Sequence, residues 1–217
     1  MVYRRTARSE AVRDASRTRL LNATLQLLAH KGYEAMTMQE VVASAGTSIG
    51  NAYFYFANKE GLVTAAVEMA VDDAIAESES IAMQVSAGPR RLAMLLASNA
   101  RALEDRRDRG PTGGLGSLLV ATDHRLATIR MVEDKAIATI VRHLADCFPD
   151  RDAAELPAIA AAIFGVNRSV VLRRLRGQLD IDLASAIALT VSWNLRALGV
   201  PEPEIAAIVA EVATDAS

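Results

Sequence analysis

Between Met36 and Leu62 the chain carries a run of helix starts and stops that admits few folds. Thr37-Met38-Gln39-Glu40 is a capping box, in which the Thr37 hydroxyl accepts from the Glu40 amide while the Glu40 carboxylate reaches back to the cap. Met36 before the cap and Val41 after it are spaced for a hydrophobic staple. A short helix therefore starts at Thr37. It ends near Ala45, because Gly46 can take the left-handed conformation that a tight turn needs. Thr47 or Ser48 then caps a second short helix running to about Phe54, and Asn58 caps another that opens at Lys59. Two short helices joined by a glycine-containing turn form a helix-turn-helix, whose second helix can enter a major groove.

The composition of the faces agrees with that placement. Val41, Val42, Ala45, Ile49 and Ala52 are expected to form a small apolar core between the two helices. Core packing is expected for Phe56 and is one reading of Phe54, but not of both tyrosines beside them. Ser48, Asn51, Tyr53 and Tyr55 are left outside, where each can donate to phosphates or base edges. Lys59 is a further phosphate candidate, and capped Thr37 brings the positive end of a helix dipole to the same surface.

The rest of the chain reads as helix throughout, so an all-α fold is expected. Leu21, Leu25 and Leu28 form a stripe that stops at Gly32. A long pattern runs from about Lys59 to Val85, and a second starts at Pro89, with Leu92, Leu95, Leu96, Asn99 and Leu103 on one face. After the loop Asp108 to Gly114, Leu126, Ile129, Val132, Ile137, Ile140 and Leu144 predict a helix that stops before Pro149. Ile159, Ile163, Val166 and Val170 mark the next, and Leu183, Ile187, Val191 and Leu198 another, closed by Gly199 and Pro201. No sustained two-residue alternation or hairpin dipeptide signals a strand.

Composition narrows the class further. Apolar residues make up 51% of the 217, enough for a sizeable core. No apolar run approaches the roughly 18 residues that would cross a bilayer, and the charged N-terminus does not read as a signal peptide. The single cysteine, Cys147, fits a reducing compartment. These features predict a cytoplasmic protein with no membrane partner. Residues 1–60 carry eight Lys/Arg against five Asp/Glu, a charge of +3 within a chain whose total is −2. A basic first quarter on an acidic body suggests an anionic partner for that quarter, although chance surface charge would produce so small a difference as readily.

Leu21 through Gly32-Tyr33, Thr37, Val41, Ala45-Gly46, Ser48, Tyr53, Phe56, Lys59 and Leu62 resemble, position by position, the N-terminal module of TetR/AcrR-type transcriptional regulators. The resemblance covers roughly residues 15 to 63. It implies a flexible basic arm (1–14), a helix-turn-helix domain (15–60) and a helical ligand-binding and dimerisation domain (61–217). It also implies a homodimer, pairing its last two long helices with their symmetry mates, that binds a double-stranded, roughly palindromic DNA operator and represses transcription until a small-molecule effector releases it. The DNA-contacting set is then Thr37, Thr47, Ser48, Ile49, Asn51, Tyr53, Tyr55 and Lys59. Some positions depart from the family. Val42 stands where alanine is usual and Ala52 where a bulkier apolar residue is usual, changes that can compensate in volume. Ile49 replaces a basic or small polar residue and can touch a thymine methyl; Asn51, often threonine in relatives, can read adenine.

The effector pocket is less marked. Six of nine aromatic residues lie in the DNA-binding part, leaving Phe148, Phe164 and Trp193, too few for an aromatic cage around an organic cation. An aliphatic pocket containing Met94 and Met131, beside Phe164, suits a neutral or weakly anionic apolar molecule. Asn99 and Asn167 fall on apolar stripes, where they either orient a ligand or bond to backbone or to each other. His124 is a third polar candidate. No cofactor is implied. His143 and Cys147, one helical turn apart, read as a packed pair rather than metal ligands, and the Gly110–Gly116 loop lacks a phosphate-loop ending. Arg173-Arg174-Leu175-Arg176 reads as a solvated helix face, with dimer salt bridges the alternative. No nucleophile–base–acid set can be assembled, so enzymatic activity is not expected. Two other classes stay open: a DNA-binding protein tuned by a protein partner, and a helical enzyme or lipid carrier.

Overall fold

A computed structural model of the chain describes residues 7–103, 116, 119 and 126–214. Among the described residues there are nine helices and no strand: α1 Ala7–Ala35, α2 Met38–Ser44, α3 Ile49–Tyr55, α4 Lys59–Ala82, α5 Pro89–Ala102, α6 Leu126–Cys147, α7 Leu156–Leu175, α8 Leu183–Ala197 and α9 Glu202–Thr214.

Two of these, α1 and α9, differ from the sequence expectation. The backbone is helical from Ala7, so part of the expected basic arm belongs to α1; from Ala7 to Lys31 no glycine or proline interrupts a run rich in Ala, Arg and Leu. Gly32, at φ 72°, breaks that helix where the stop is expected, but one further turn follows to Ala35. Helix α9 was not foreseen. Pro201 reads as a terminator of α8, yet it stands just ahead of α9, where proline is tolerated, and Glu202 and Glu204 complement the dipole of the first turn. Ile205, Ile208 and Val212 supply its buried stripe.

Two cores divide the molecule. The first gathers Leu20, Leu21, Leu25 and Leu28 of α1, Val41 and Val42 of α2, Ala52 of α3, and Leu62 to Val71 of α4. Each fully buried leucine contributes about 1.5–3 kcal/mol relative to exposure. The second core is centred on α5, whose Leu92, Ala93, Leu95 and Ala97 are wholly buried against α6, α8 and α9. Helix α4 is shared between them: Leu62 and Val67 belong to the first core, and Ala82 to the second. Lys135 of α6 reaches both Glu68 (3.1 Å) and Asp72 (2.7 Å) on α4, and Arg142 reaches Glu79 (2.7 Å). Such exposed pairs set register more than stability, at about 0–1 kcal/mol each.

His143 and Cys147 are both buried, and no cluster of three metal-ligating side chains occurs among the described residues. Burial pushes the Cys147 thiol up, so it is no ready thiolate ligand. Burial also holds the His143 imidazole below its ordinary value. The Glu79 and Asp146 carboxylates oppose the shift, while Arg91 and Arg142 reinforce it. As pH falls below the unfolded-state value of 6.5, the unfolded chain takes up a proton that the folded imidazole declines. Thermal stability should therefore decline as pH drops below about 6.5, and His143→Gln should flatten that limb in melting curves recorded across pH.

Helix α7 is long and apolar enough to cross a bilayer by length and composition, contrary to the expectation that no segment comes near. The discrepancy arises because Arg168 interrupts the apolar run late in the helix, while Pro157 is tolerated in its first turn. Its exposed side carries Ala158, Ala162, Gly165 and Ser169, a row of small residues, and α8 exposes Leu189 and Trp193.

Candidate nucleic-acid interface and effector cavity

The turn between α2 and α3 is built as its residues require. Thr37 accepts from the Glu40 amide (3.3 Å), its own amide donates to the Glu40 carboxylate (3.0 Å), and Lys31 donates to the same carboxylate at 2.6 Å. These contacts, Lys31 first, hold the Glu40 carboxyl below the usual carboxylate range. Met36 and Val41, the expected staple, are both buried in the first core. Gly46 sits at φ 62°; its amide donates to the Ala43 carbonyl and the Thr47 amide to Val42, the paired bonds of a Schellman stop. Ser48 is the cap of α3, accepting from the Asn51 amide at 3.2 Å, and Asn58 caps α4 through the Gly61 amide at 2.8 Å.

The expected contact residues separate into two groups. Ser48, Ile49 and Tyr53 lie exposed on one face of α3, with Gly50 and Phe54. Thr37 is occupied with its capping box. The other residues bond inside the module. The Asn51 amide donates to Ser16 (2.8 Å) and Thr47 (2.7 Å), tying α3 to α1. The Tyr55 hydroxyl donates to the Arg13 carbonyl at 3.2 Å. Lys59 donates to the carbonyls of Tyr33 (2.9 Å) and Met36 (3.0 Å), with its ammonium 4.2 Å from the Tyr33 ring centre. Asn51 and Lys59 thus act as internal ties, and their partners Ser16, Tyr33 and Met36 are distant in sequence and invisible to local spacing.

Two aromatic and apolar assignments are corrected as well. Ile49 was placed in the small core but is 38% exposed, and Phe54, one reading of which was core, is 67% exposed. Over a helix of seven residues Ala52 and the following Phe56 take the inward direction, which turns Ile49, Tyr53 and Phe54 outward. Phe54 is the contact candidate that sequence reasoning missed. Its spacing from Gly50 is the signal that could have found it, and the Arg13 guanidinium lies 5.7 Å from its ring centre.

A cavity of about 120 Å³ lies between α4, α5, α6 and α7. Its walls are mostly aliphatic, among them Ile75, Leu96, Val132 and Ile140, with Asn99, Asn167 and Phe164 as expected. The Asn167 amide donates to the Ile163 carbonyl at 2.8 Å, the backbone alternative foreseen for it. Neither expected methionine lines it: Met94 packs against the second core and Met131 against the first, and the neighbouring Val132 takes the cavity position. His124 lies outside the described residues.

Val71 lines this cavity and also belongs to the core of the helix-turn-helix, one side chain on α4 serving both.

Residues 20–66 match the family model for the N-terminal domain of bacterial regulatory proteins of the tetR family. The chain is 31% identical over 96 residues to the transcriptional repressor KstR of Mycolicibacterium smegmatis, a match covering 44% of this chain and 47% of that protein. It is 35% identical over 91 residues to the transcriptional regulator BetI of Rhizobium meliloti, covering 40% and 42% respectively. The chain thus spans somewhat under half the length of these curated relatives. In fold it is similar to FadR of Bacillus subtilis, solved in complex with stearoyl-CoA, at a TM-score of 0.64 and 14% identity, over 82% of this chain and 96% of that one. The capping box, the Schellman turn and the exposed face of α3 all lie within residues 20–66, the segment that is similar to the bacterial regulatory proteins of the tetR family.

Proposed function

We propose that the chain is a cytoplasmic, sequence-specific DNA-binding transcriptional regulator, a dimeric repressor released from its operator by a small apolar effector. The observation that carries this reading is the sharing of Val71 between the DNA-binding core and the cavity. Helix α4 runs for 24 residues, about 36 Å at 1.5 Å per residue, from its Asn58 cap in the DNA module to the second core. A ligand that pushes on Val71, Ala74 or Ile75 tilts a rod whose other end carries the recognition helix. Ser48, Ile49, Tyr53 and Phe54 present the surface that enters the groove, with Thr47 at its edge. A cavity of about 150 Å³ accommodates a benzene-sized body, so the space here suits a compact apolar group without rearrangement.

The second copy is assigned to the α7–α8 face. Two such heads engage major grooves one helical turn, about 34–36 Å, or a multiple of it apart. The boundaries 15–60 and 61–217 describe the two functional parts, with α4 as the lever between them. KstR and FadR supply the analogy for a ligand-controlled repressor.

Fluorescence anisotropy on DNA flanking the chain's own gene, across a salt series and against scrambled competitor, tests the reading. Saturable binding by two protomers per site with a steep negative salt slope is expected. A genome-wide DNA selection that enriches no sequence would sink it.

A further inference from the structure

Arg13 stands beside the exposed face of α3 although it belongs to α1. Around α3, Ile49 and Tyr53 share one direction, Gly50 and Phe54 the next, and Asn51 and Tyr55 the one after, because successive residues turn by about 100°. The third direction faces α1: the Asn51 amide donates to Ser16 and the Tyr55 hydroxyl to the Arg13 carbonyl. Phe54 is therefore at the edge between the outward face and α1, and it is largely exposed. Its ring meets the Tyr55 ring edge-on, 5.1 Å between centres, and the Arg13 guanidinium lies over it at 5.7 Å. Arg17, one turn further along α1, is placed differently: it covers Phe56, a buried residue of the core.

A phenylalanine ring has no hydrogen bond to give a base or a phosphate, but its face attracts a cation. Stacking engages the flat side of a guanidinium and leaves its in-plane N–H donors for a second partner. Arg13 is exposed, and no salt bridge among the described residues involves it. A helix lying in the major groove, about 12 Å wide, is bordered on both sides by sugar–phosphate strands. A cation held at the flank of that helix meets one of them.

We propose that Arg13 is a DNA-phosphate contact positioned by Phe54, whose ring holds the guanidinium at the edge of α3 where its donors take a phosphate oxygen. This rests on the DNA-binding reading of the helix-turn-helix. The contact adds affinity and salt dependence but no sequence preference, since every nucleotide offers the same phosphate.

Anisotropy of the full-length protein on two labelled duplexes tests the proposal, one carrying the sequence enriched by genomic selection and the other its scrambled counterpart. Arg13→Ala is expected to weaken both by about tenfold, leaving their ratio unchanged. It should also make the slope of log K against log salt shallower by about 0.9. Arg13→Gln, which keeps most of the stem and drops the charge, should give the same change of slope, so that a folding defect in the alanine variant cannot stand in for the result. Phe54→Leu should weaken binding in the wild-type background and have no effect in Arg13→Ala, the signature of two residues acting as one. Unchanged affinity and slope in both Arg13 variants overturns the contact. A loss confined to the enriched duplex makes Arg13 a reader of bases and overturns the phosphate assignment. An equal loss from Phe54→Leu in both backgrounds overturns the positioning role. Wild-type protein that holds neither duplex overturns the DNA-binding reading itself, and this contact with it.

Discussion

Leu189→Arg combined with Trp193→Asp is expected to convert the proposed dimer to monomers and lower operator affinity by about a hundredfold or more. The two side chains lie one turn apart on α8, 55% and 48% exposed. A single copy has no use for a tryptophan and a leucine held against water in this way, whereas two copies crossing closely over Gly165 would bury all four elements. Charging these positions removes no contact from the protomer's own cores, so its melting temperature should barely move; surface changes of this kind are usually worth about ±0.5 kcal/mol. Each half-site binds weakly alone, and losing the link between the heads forfeits the effective concentration that the dimer provides. Sedimentation equilibrium gives the mass and anisotropy the affinity. A double variant that stays dimeric with wild-type affinity would place the interface elsewhere.

Tyr53→Ala and Lys59→Ala should separate contact from support. Tyr53 is 53% exposed on the outward face of α3, and its removal should leave stability within about 0.5 kcal/mol. If its hydroxyl donates to a phosphate, operator affinity should fall by about 1.5–3 kcal/mol, roughly ten- to 150-fold. Lys59 behaves in the opposite way. Its ammonium satisfies the Tyr33 and Met36 carbonyls at the end of α1, and alanine leaves both without that partner. A stability loss of about 1–3 kcal/mol is expected, with DNA affinity at a temperature well below the melting point little changed. Differential scanning calorimetry beside anisotropy distinguishes the two. A Lys59→Ala protein of full stability and lost affinity would return Lys59 to the phosphate-contacting set.

Much of the helix-turn-helix was legible because its determinants are local. The Thr37–Glu40 box, the Gly46 stop and the Ser48 and Asn58 caps each act within about four residues, so spacing alone places them. The helical stripes were legible for the same reason, since a leucine every three or four residues states which side is buried but not against what. Spacing could not show that Asn51 and Lys59 also tie the module together, because they donate to groups as far as 35 and 26 positions away. It failed at Ile49 and Phe54, because a seven-residue helix offers two apolar directions and the packing of α1 chose the Ala52–Phe56 side. Val132 rather than Met131 reached the cavity, a rotation of one residue that periodicity cannot resolve. By itself the sequence determined an all-helical chain opening with a capped, glycine-turned pair of helices, because caps, turns and helical period are short-range properties of the backbone. Only the tertiary structure decided that Val71 faces both the DNA-binding core and the cavity, and that Arg13 stands over Phe54, because these depend on which helices pack together.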